Sequence, residues 1–492
     1  MRGRGVVIAG ILSCVTVLGV ASTLGATPAV APATKPDALK AGALASIATH
    51  RQELVGLSEQ IWRYAETALQ ETRSAKALAD YAESQGFRVK RGVAGMPTAF
   101  VAEYGHGAPV IGILGEYDAL PGISQKAQPT QEALEPGAAG HGCGHNLFGP
   151  GSLGASLAIK ELIAAGKLSG TIRFYGTPAE ESVGGKLYML REGLMSDLDV
   201  CLAWHPGDKN EVDTKSSQAM VDFRVEFHGK AAHAAFDPWN GRSAVDGLEI
   251  FTHALNMMRE HVTPSVRMHY AILDGGKVPN VVPDYARVWV WVRDSKRTGV
   301  EQVMQRVRKM VQGAALAADV EATMTIQSGD YELLPNQAGV RVMHANFSAL
   351  PPLSFTAEEQ EFARTIQKGT GNQPIGLRTA IEPLPDRPMD PEGGSTDVGD
   401  VSWVVPTLHV TITTAPAETP WHAWPVVACG GMSIGQKGMI YAAQGLATTM
   451  VDLFESVDIR QAIRKDFEQE TRGTVYKGYI PDGPPPLPAP QK

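Results

Sequence analysis

Four short apolar runs of the chain each lead towards an Asp, Glu or His. They span residues 109–114, 171–175, 200–204 and 406–413. Short apolar runs that alternate with helical segments are typical of buried strands in a parallel sheet. In open α/β sheets, ligands bind in the crevice beyond the carboxyl ends of the strands. The pattern therefore predicts an α/β domain in which polar residues that lie far apart in the sequence converge.

The middle of the chain has a different pattern. Residues 219–228 and 285–292 alternate between apolar and polar, as half-exposed strands do. Residues 243–261 have helical spacing, and a further strand pattern lies near residues 321–326. This order predicts a compact insert of the β-α-β-β type that forms a second, smaller domain.

The N-terminus has the features of a secretory signal peptide. Arg2 and Arg4 precede an apolar stretch at residues 6–20, and small residues follow through Ala26. The stretch is shorter than the roughly 20 residues that a membrane-spanning helix needs. We expect export to the periplasm or the medium and no stable membrane span, with an uncleaved anchor as the alternative.

These patterns divide the chain into six segments. In order, they are a signal peptide at 1–26, a spacer at 27–37, the first part of the α/β domain at 38–214, the insert at 215–333, the second part of the α/β domain at 334–470 and a Pro-rich tail at 471–492. The tail could be a linker or could lie along the surface.

Composition narrows the class of protein. A chain of 492 residues with 43% hydrophobic residues and 52 Gly is globular and too long for one ordinary core. Its 44 basic and 52 acidic residues give a net charge of −8 without a basic run, so we expect no nucleic-acid partner. Beyond the leader, an odd number of cysteines remains, which argues against a disulfide framework.

The polar residues beyond the predicted strands include the ligand types of a paired metal site. They are Asp118, Cys143, His145, Glu180, Glu181, His205 and His422. Thiolate, imidazole and carboxylate ligands suit zinc, and paired carboxylate sites also accept manganese or cobalt. Taken singly, Cys143 and His145 are as often structural, and Glu180, Glu181 and His205 are more often structural than functional. Taken together, the residues favour two divalent ions and one carboxylate left to act as a base.

Seven motifs stand in one order: EYDALPG, HGCGHN, TPAEE, AWHP, GKAAHAA, PNVVPD and GSTDVGD. At these motifs the chain resembles the amidohydrolase branch of the M20 metallopeptidase superfamily, and within it the p-aminobenzoyl-glutamate hydrolase type. The resemblance covers residues 47–463. It implies a phosphorylase/hydrolase-like catalytic α/β domain with an inserted α+β lid, through which two subunits form a homodimer.

The resemblance also implies roles for individual residues. The metal ligands would be Cys143, His145, Glu181, His205 and His422. Glu180 would be the general base for a water molecule that bridges the two ions. Asp118 would orient a ligand, because this chain has Glu116-Tyr117-Asp118 where other branches have His-x-Asp.

Further residues are candidates for contacts with the substrate. By resemblance, His233 of the lid reaches an active site, often that of the partner subunit, and stabilises the oxyanion; a surface loop histidine is the alternative. Asn280 and Arg293 are candidates for binding a carboxylate, which the planar guanidinium of arginine suits, although an arginine at a strand end is as often a surface charge. Asp397 is placed near the site by resemblance.

The expected function is metal-dependent cleavage of the amide bond of an N-acyl amino acid or a similar small amide. Trp239, Trp421 and Trp424 flank the lid and metal loops and could line an aromatic acyl pocket, with buried packing as the alternative. A dipeptidase or carboxypeptidase on the same fold is a second hypothesis. A ligand-binding protein built on an inactive domain is a third, and the complete ligand set with Glu180 argues against it.

Overall fold

The computed structural model describes residues 38–386, 391 and 393–488. The signal peptide and spacer lie outside these residues, so export stays a prediction. Within the described residues, no helix combines the length and apolar character that crossing a membrane requires.

The described residues form two separate sheets. The strands are β1 (Arg88–Arg91), β2 (Phe100–His106), β3 (Val110–Gly115), β4 (Gly170–Gly176), β5 (Val200–Gly207), β6 (Glu211–Val212), β7 (Ala219–His228), β8 (Arg267–Asp274), β9 (Tyr285–Asp294), β10 (Glu321–Ser328) and β11 (Thr407–Thr413). The larger sheet has the order β1-β2-β4-β3-β5-β11-β6, and the smaller has the order β10-β7-β9-β8. This division agrees with the predicted α/β domain and inserted α+β domain.

The four predicted apolar runs are four neighbouring strands of the larger sheet. β4, β3, β5 and β11 pair in parallel, whereas β1, β2 and β6 are joined to the sheet in antiparallel fashion. The carboxyl ends of the four parallel strands therefore meet at one edge of the sheet.

Helices cover the sheet and the insert. They are α1 (Ala38–Tyr64), α2 (Thr72–Ser84), α3 (His145–Ala164), α4 (Gly185–Arg191), α5 (Ala244–Met258), α6 (Arg297–Ala318), α7 (Gln337–Ala349), α8 (Ala357–Thr370), α9 (Val398–Ser402), α10 (Trp424–Gly430), α11 (Ser433–Glu455) and α12 (Val457–Glu470). α3 packs against α1, α11 and the parallel strands, and most of its residues are buried.

The start of α3 differs from the sequence prediction. The sequence predicts a helix over residues 152–165, beginning at Ser152, but the helix begins at His145 and runs through Pro150. Gly-Pro-Gly has low helix propensity, and burial against the sheet overrides it. A Cβ at Gly149 would lie 3.0 Å from the carbonyl oxygen of Glu116, to which the N–H of Gly149 donates a hydrogen bond of 3.0 Å. The glycine therefore lets the first turns of α3 approach the end of β3.

The insert contains two elements that the sequence analysis missed. Its order is β7-α5-β8-β9-α6-β10 instead of β-α-β-β. β8 is an edge strand that buries Met268 while Ile272 and Leu273 stay exposed, so its apolar residues do not alternate. α6 buries Val300, Val303, Met304, Val307 and Val311, and this helical spacing was visible in the sequence.

The Pro-rich tail lies along the surface, one of the two arrangements left open by the sequence. The guanidinium of Arg297 in the insert stacks on the ring of Tyr479, 3.2 Å from its centroid. The hydroxyl of Tyr476 donates a hydrogen bond of 2.8 Å to Asp400 of α9. The tail therefore contacts both the insert and the α/β domain.

Candidate metal centre

The carboxyl ends of the parallel strands bring the proposed metal ligands together. Three groups of side chains each place one ligand atom per residue within 4.8 Å of the others. The groups are Cys143 with His145 and His205, Cys143 with Glu181 and His422, and Glu116 with His145 and Glu180. Residues from five separate loops and strands thus form one cluster.

Individual distances show how compact the cluster is. The sulfur of Cys143 lies 3.3 Å from Nε2 of His205, and Nε2 of His422 lies 3.4 Å from Oε2 of Glu181. Nδ1 of His145 lies 3.9 Å from Oε1 of Glu181. Donor atoms at these separations can ligate the same pair of cations.

Buried atoms without partners support a fit to metal ions. Oε1 of Glu181 is buried and has no hydrogen-bond partner among the described residues, and Nε2 of His145 lies 3.0 Å from Oε2 of Glu116 without a hydrogen bond between them. Such atoms cost free energy unless something satisfies them, and a divalent cation would do so. The sulfur, nitrogen and oxygen donors match zinc and, as a paired site, manganese or cobalt.

The pKa values of two candidate ligands also fit a site for metal ions. Burial and the carboxylate of Glu181 raise the pKa of the Cys143 thiol well above its ordinary value, so a thiolate there needs a cation. Burial and the neighbouring His145 lower the pKa of His205 to about 4, which keeps its imidazole neutral as a ligand must be.

Asp118 lies behind two of the candidate ligands. Its Oδ1 is 2.9 Å from Nδ1 of His145, and its Oδ2 accepts a 2.9 Å hydrogen bond from the backbone N–H of Glu181. A carboxylate on one ring nitrogen fixes the orientation of the imidazole and leaves the other nitrogen for the metal. Asp118 therefore positions both His145 and Glu181.

The turn before Glu180 depends on a carboxyl group that the sequence analysis did not single out. Ala179 has a left-handed φ of 61°, and its N–H donates a 2.9 Å hydrogen bond to Oε1 of the buried Glu71. Burial and the charge of Asp118 raise the pKa of Glu71 to about 8. Glu71 thus holds the turn that presents Glu180 and Glu181.

Glu180 lies on the wall of the cavity next to the candidate ligands. Burial, followed by the charges of Glu116 and Glu181, raises its pKa well above the ordinary value. A carboxyl group with a raised pKa beside a metal site is suited to accept and return a proton near neutral pH.

A buried lysine balances part of the negative charge. Nζ of Lys186 lies 2.6 Å from Oε1 of Glu116 and 2.5 Å from Oδ1 of Asp397, and all three side chains are buried. Burial alone would lower the pKa of Lys186, but Asp397 and Glu116 raise it above its ordinary value. No local pattern around Gly184-Gly185-Lys186 indicates a functional role for the lysine. The position of Glu116, two residues before Asp118 in the same motif, does indicate one.

The cluster opens into a cavity of about 490 Å³. Arg293, Trp291 and Trp421 line it together with Cys143, Glu180, Glu181, His205 and His422. The guanidinium of Arg293 lies 5.0 Å from the centroid of the Trp291 ring and donates a 3.4 Å hydrogen bond to Ser395. Among the described residues it has no ion-pair partner, so it is available to an anionic ligand.

The remaining candidates lie elsewhere. His233 and Asn280 are exposed in the insert and do not line this cavity. Asp397 lies behind Glu116, paired with Lys186, and not on the cavity wall. The substrate contacts expected of these three residues stay predictions. Trp239 is 72% exposed, so the buried packing considered for it is wrong.

Replacing Lys186 tests the charge balance. Lys186→Met keeps the volume but leaves Glu116 and Asp397 buried without their cation, so the free energy of unfolding should fall by about 3–5 kcal/mol. Urea denaturation measures this, with Lys167→Met at an exposed position as the matched control. A loss no larger than that of the control would contradict the role of Lys186.

Replacing Glu71 tests its raised pKa. The unfolded chain ionises Glu71 from about its ordinary value of 4.5, whereas the folded protein keeps the proton up to about 8. Wild-type stability should therefore fall as the pH rises through this window, and Glu71→Gln should lack that fall. Urea denaturation of metal-free protein at pH 5 to 8 should show the variant gaining on the wild type. If the stabilities of the variant and the wild type changed in parallel with pH, the raised pKa of Glu71 would be contradicted. Glu192→Gln, at an exposed site, is the control.

Comparison with known proteins agrees with this fold. Residues 216–319 match the M20 family model described as a peptidase dimerisation domain. The chain is 36% identical over 471 residues to a p-aminobenzoyl-glutamate hydrolase subunit of Escherichia coli (strain K12), covering 90% of this chain and 98% of that protein. It is 28% identical over 457 residues to the Xaa-Arg dipeptidase of Mus musculus, covering 90% and 95% of the two chains.

A solved structure shows the same fold. It is a Bacillus subtilis protein described as a dinuclear metal binding peptidase from the M20 family, with a TM-score of 0.56 at 18% sequence identity. The match covers 83% of this chain and 99% of that chain. The family and enzyme class predicted from the motifs are confirmed. With 36% identity to a relative that it covers almost completely, the chain belongs to the M20 peptidases, a family of hydrolases, and carries their dimerisation domain as its insert.

Proposed function

We propose that the protein is a metal-dependent amidohydrolase that cleaves the amide bond of an N-acyl amino acid. The observation that carries this proposal is the convergence of the candidate ligands with Glu180 on the wall of one cavity. The E. coli relative, by its name, hydrolyses an aromatic acyl-glutamate, which supports an N-acyl amino acid as the substrate class.

Two divalent cations would be held by the five candidate ligands. Cys143, His145 and His205 form one group, and Cys143, Glu181 and His422 form the other, so Cys143 belongs to both groups. The name of the Bacillus subtilis protein supports a pair of ions. When bound, such cations supply Lewis acidity that polarises the scissile carbonyl and acidifies water.

Glu180 would transfer the proton. Its carboxylate takes a proton from the attacking water and then gives it to the leaving nitrogen, acting first as base and then as acid. Glu181 is assigned to the ligands instead, because its Oε2 lies 3.4 Å from Nε2 of His422.

The cavity supplies contacts for both halves of the substrate. The available guanidinium of Arg293 suits the carboxylate of the amino acid, with two parallel hydrogen bonds. Trp291 and Trp421 on the same wall suit an apolar or aromatic acyl group.

We also propose that the lid forms a homodimer and supplies His233 to the partner subunit. The lid exposes apolar side chains on α5, β8 and the His233 loop, among them Met257, Ile272, Phe236 and Trp239. Exposed apolar groups of this kind mark interaction surfaces. His233 lies beside Phe236 on this loop and does not line the cavity of its own chain.

A dipeptidase is the second candidate function. Asp330 lines the cavity, and its carboxyl group makes no hydrogen bond or ion pair among the described residues. A carboxylate there would bind the free amine of a dipeptide, and the name of the mouse relative supports such a substrate. Acylated amino acids and free dipeptides therefore separate the two functions.

Replacing Glu180 tests the proton transfer. Glu180→Gln should keep two metal ions per chain but lower kcat on p-aminobenzoyl-glutamate by about 10² to 10⁴, because the base is lost and the ligands remain. Metal analysis and steady-state kinetics on N-acyl amino acids and free dipeptides measure this. Glu181→Gln is the contrast and should lose metal as well as activity. Full activity of Glu180→Gln would exclude the assigned base.

Mixed dimers test the shared site. His233→Ala alone should lose roughly a hundredfold in kcat. Co-expressing His233→Ala with Glu180→Gln should restore about a quarter of wild-type activity, because half of the dimers are mixed and each has one complete site. No recovery, with mixed dimers verified by two affinity tags, would place His233 in its own subunit's site or outside both sites.

A further inference from the structure

One histidine on the cavity wall has no part in the reaction as described so far. His409 of β11 lines the same cavity as Cys143 and His205 and is only 8% exposed. The pairing of β11 with β5 puts Thr411 opposite His205 and His409 opposite Ala203. Side chains two residues apart on a strand share a face, so His409 projects to the same side as His205, roughly 7 Å back along the strand.

The ring of His409 is held in one orientation by Asp213. Its Nδ1 makes a short hydrogen bond with Oδ2 of Asp213, and Oδ1 of Asp213 accepts a 3.3 Å hydrogen bond from the hydroxyl of Thr411. The backbone N–H of Asp213 donates a further hydrogen bond of 3.0 Å to the carbonyl oxygen of His409. This arrangement resembles the way Asp118 holds His145, and it holds the ring in one orientation.

The other ring nitrogen remains available. Nε2 of His409 has no hydrogen-bond partner among the described residues, although the side chain is more than nine-tenths buried on the cavity wall. Within the described part of the chain, none of the clusters able to hold a metal ion contains His409. Its available nitrogen therefore fits a polar group of the bound ligand better than an ion.

We propose that His409, oriented by Asp213, binds a second carboxylate of the substrate, so that the site selects an acidic amino acid on the leaving side. The inference rests on the proposed amidohydrolase function. Arg293 lines the same cavity and takes one carboxylate, and His409 takes the other. One ring nitrogen of His409 would face Asp213 and the other the second carboxylate of the ligand; an imidazole in its protonated form donates a hydrogen bond from both nitrogens.

This arrangement makes His409 a specificity residue, not a member of the proton-transfer machinery. Loss of a charge-assisted hydrogen bond should act mainly on KM for an acidic substrate. A substrate with a neutral amide in place of the second carboxylate should bind less well to the wild type. Its KM should also depend less on the presence of His409.

The test compares N-benzoyl-L-glutamate with N-benzoyl-L-glutamine on the metal-loaded full chain. Wild type should prefer the glutamate compound by about tenfold or more in kcat/KM. His409→Phe keeps an aromatic ring but removes the donor, so the preference should collapse towards one, chiefly through KM for the glutamate compound. Asp213→Asn should lower the preference in the same direction, and it covers the case in which His409→Phe fails to fold. His106→Phe, at an exposed site, is the matched control.

Each outcome is decisive for one of the two proposals. An unchanged preference in His409→Phe and Asp213→Asn, or an equal loss on both substrates, would overturn the carboxylate subsite and leave the amidohydrolase function standing. If neither compound is hydrolysed, the proposed function fails for them. Calorimetric binding of the same compounds then tests the subsite, which requires tighter binding of the glutamate compound that His409→Phe abolishes.

Discussion

Buried negative charge is the constraint on which the catalytic edge of the large sheet depends. Glu71, Asp118, Glu116, Glu180 and Glu181 lie buried or partly buried in or around the ligand cluster, and Asp397 lies just behind it. Charges cannot be buried singly at low cost, so each carboxyl group needs a proton, a cation or a set of hydrogen bonds. Lys186 serves Glu116 and Asp397, a raised pKa serves Glu71 and Glu180, hydrogen bonds with His145 and Glu181 serve Asp118, and the proposed ions would serve Glu181. Stability and metal binding are therefore linked in this molecule.

The same constraint explains how loops from distant parts of the sequence keep their places. Asp118 ties the first turn of α3 to the loop after β4, and Lys186 ties the end of β3 to the N-terminus of α9 through Asp397. Two residues near the ligands, Ala179 and His422, have left-handed backbones. Such conformations persist only where the surroundings hold them, and hydrogen bonds from these backbones to Glu71 and Gly142 do so here.

Much of the fold and of the ligand cluster was readable from the sequence, for identifiable reasons. Buried parallel strands give uninterrupted apolar runs, and a cluster beyond their ends leaves Cys, His and Glu in loops, where they stand out. β8 was not readable because an edge strand has no need to alternate. The start of α3 was not readable because packing overrides the low helix propensity of Gly149 and Pro150. Lys186 and His409 act through partners 70 and 196 residues away, Glu116 and Asp213, and no local pattern reveals such pairs.

The tail makes the mobility of the lid depend on a contact remote from the cavity. Two chain segments cross between the domains, and Met220 and Asp330 join them by reciprocal 2.9 Å hydrogen bonds. Tyr479 and Tyr476 add a further connection through the tail, from Arg297 of the insert to Asp400 of the α/β domain. Two joined segments allow swinging about one axis, whereas a third attachment off that axis acts as a tether. Any rotation of the insert would therefore have to carry the tail along or detach Tyr479 from Arg297.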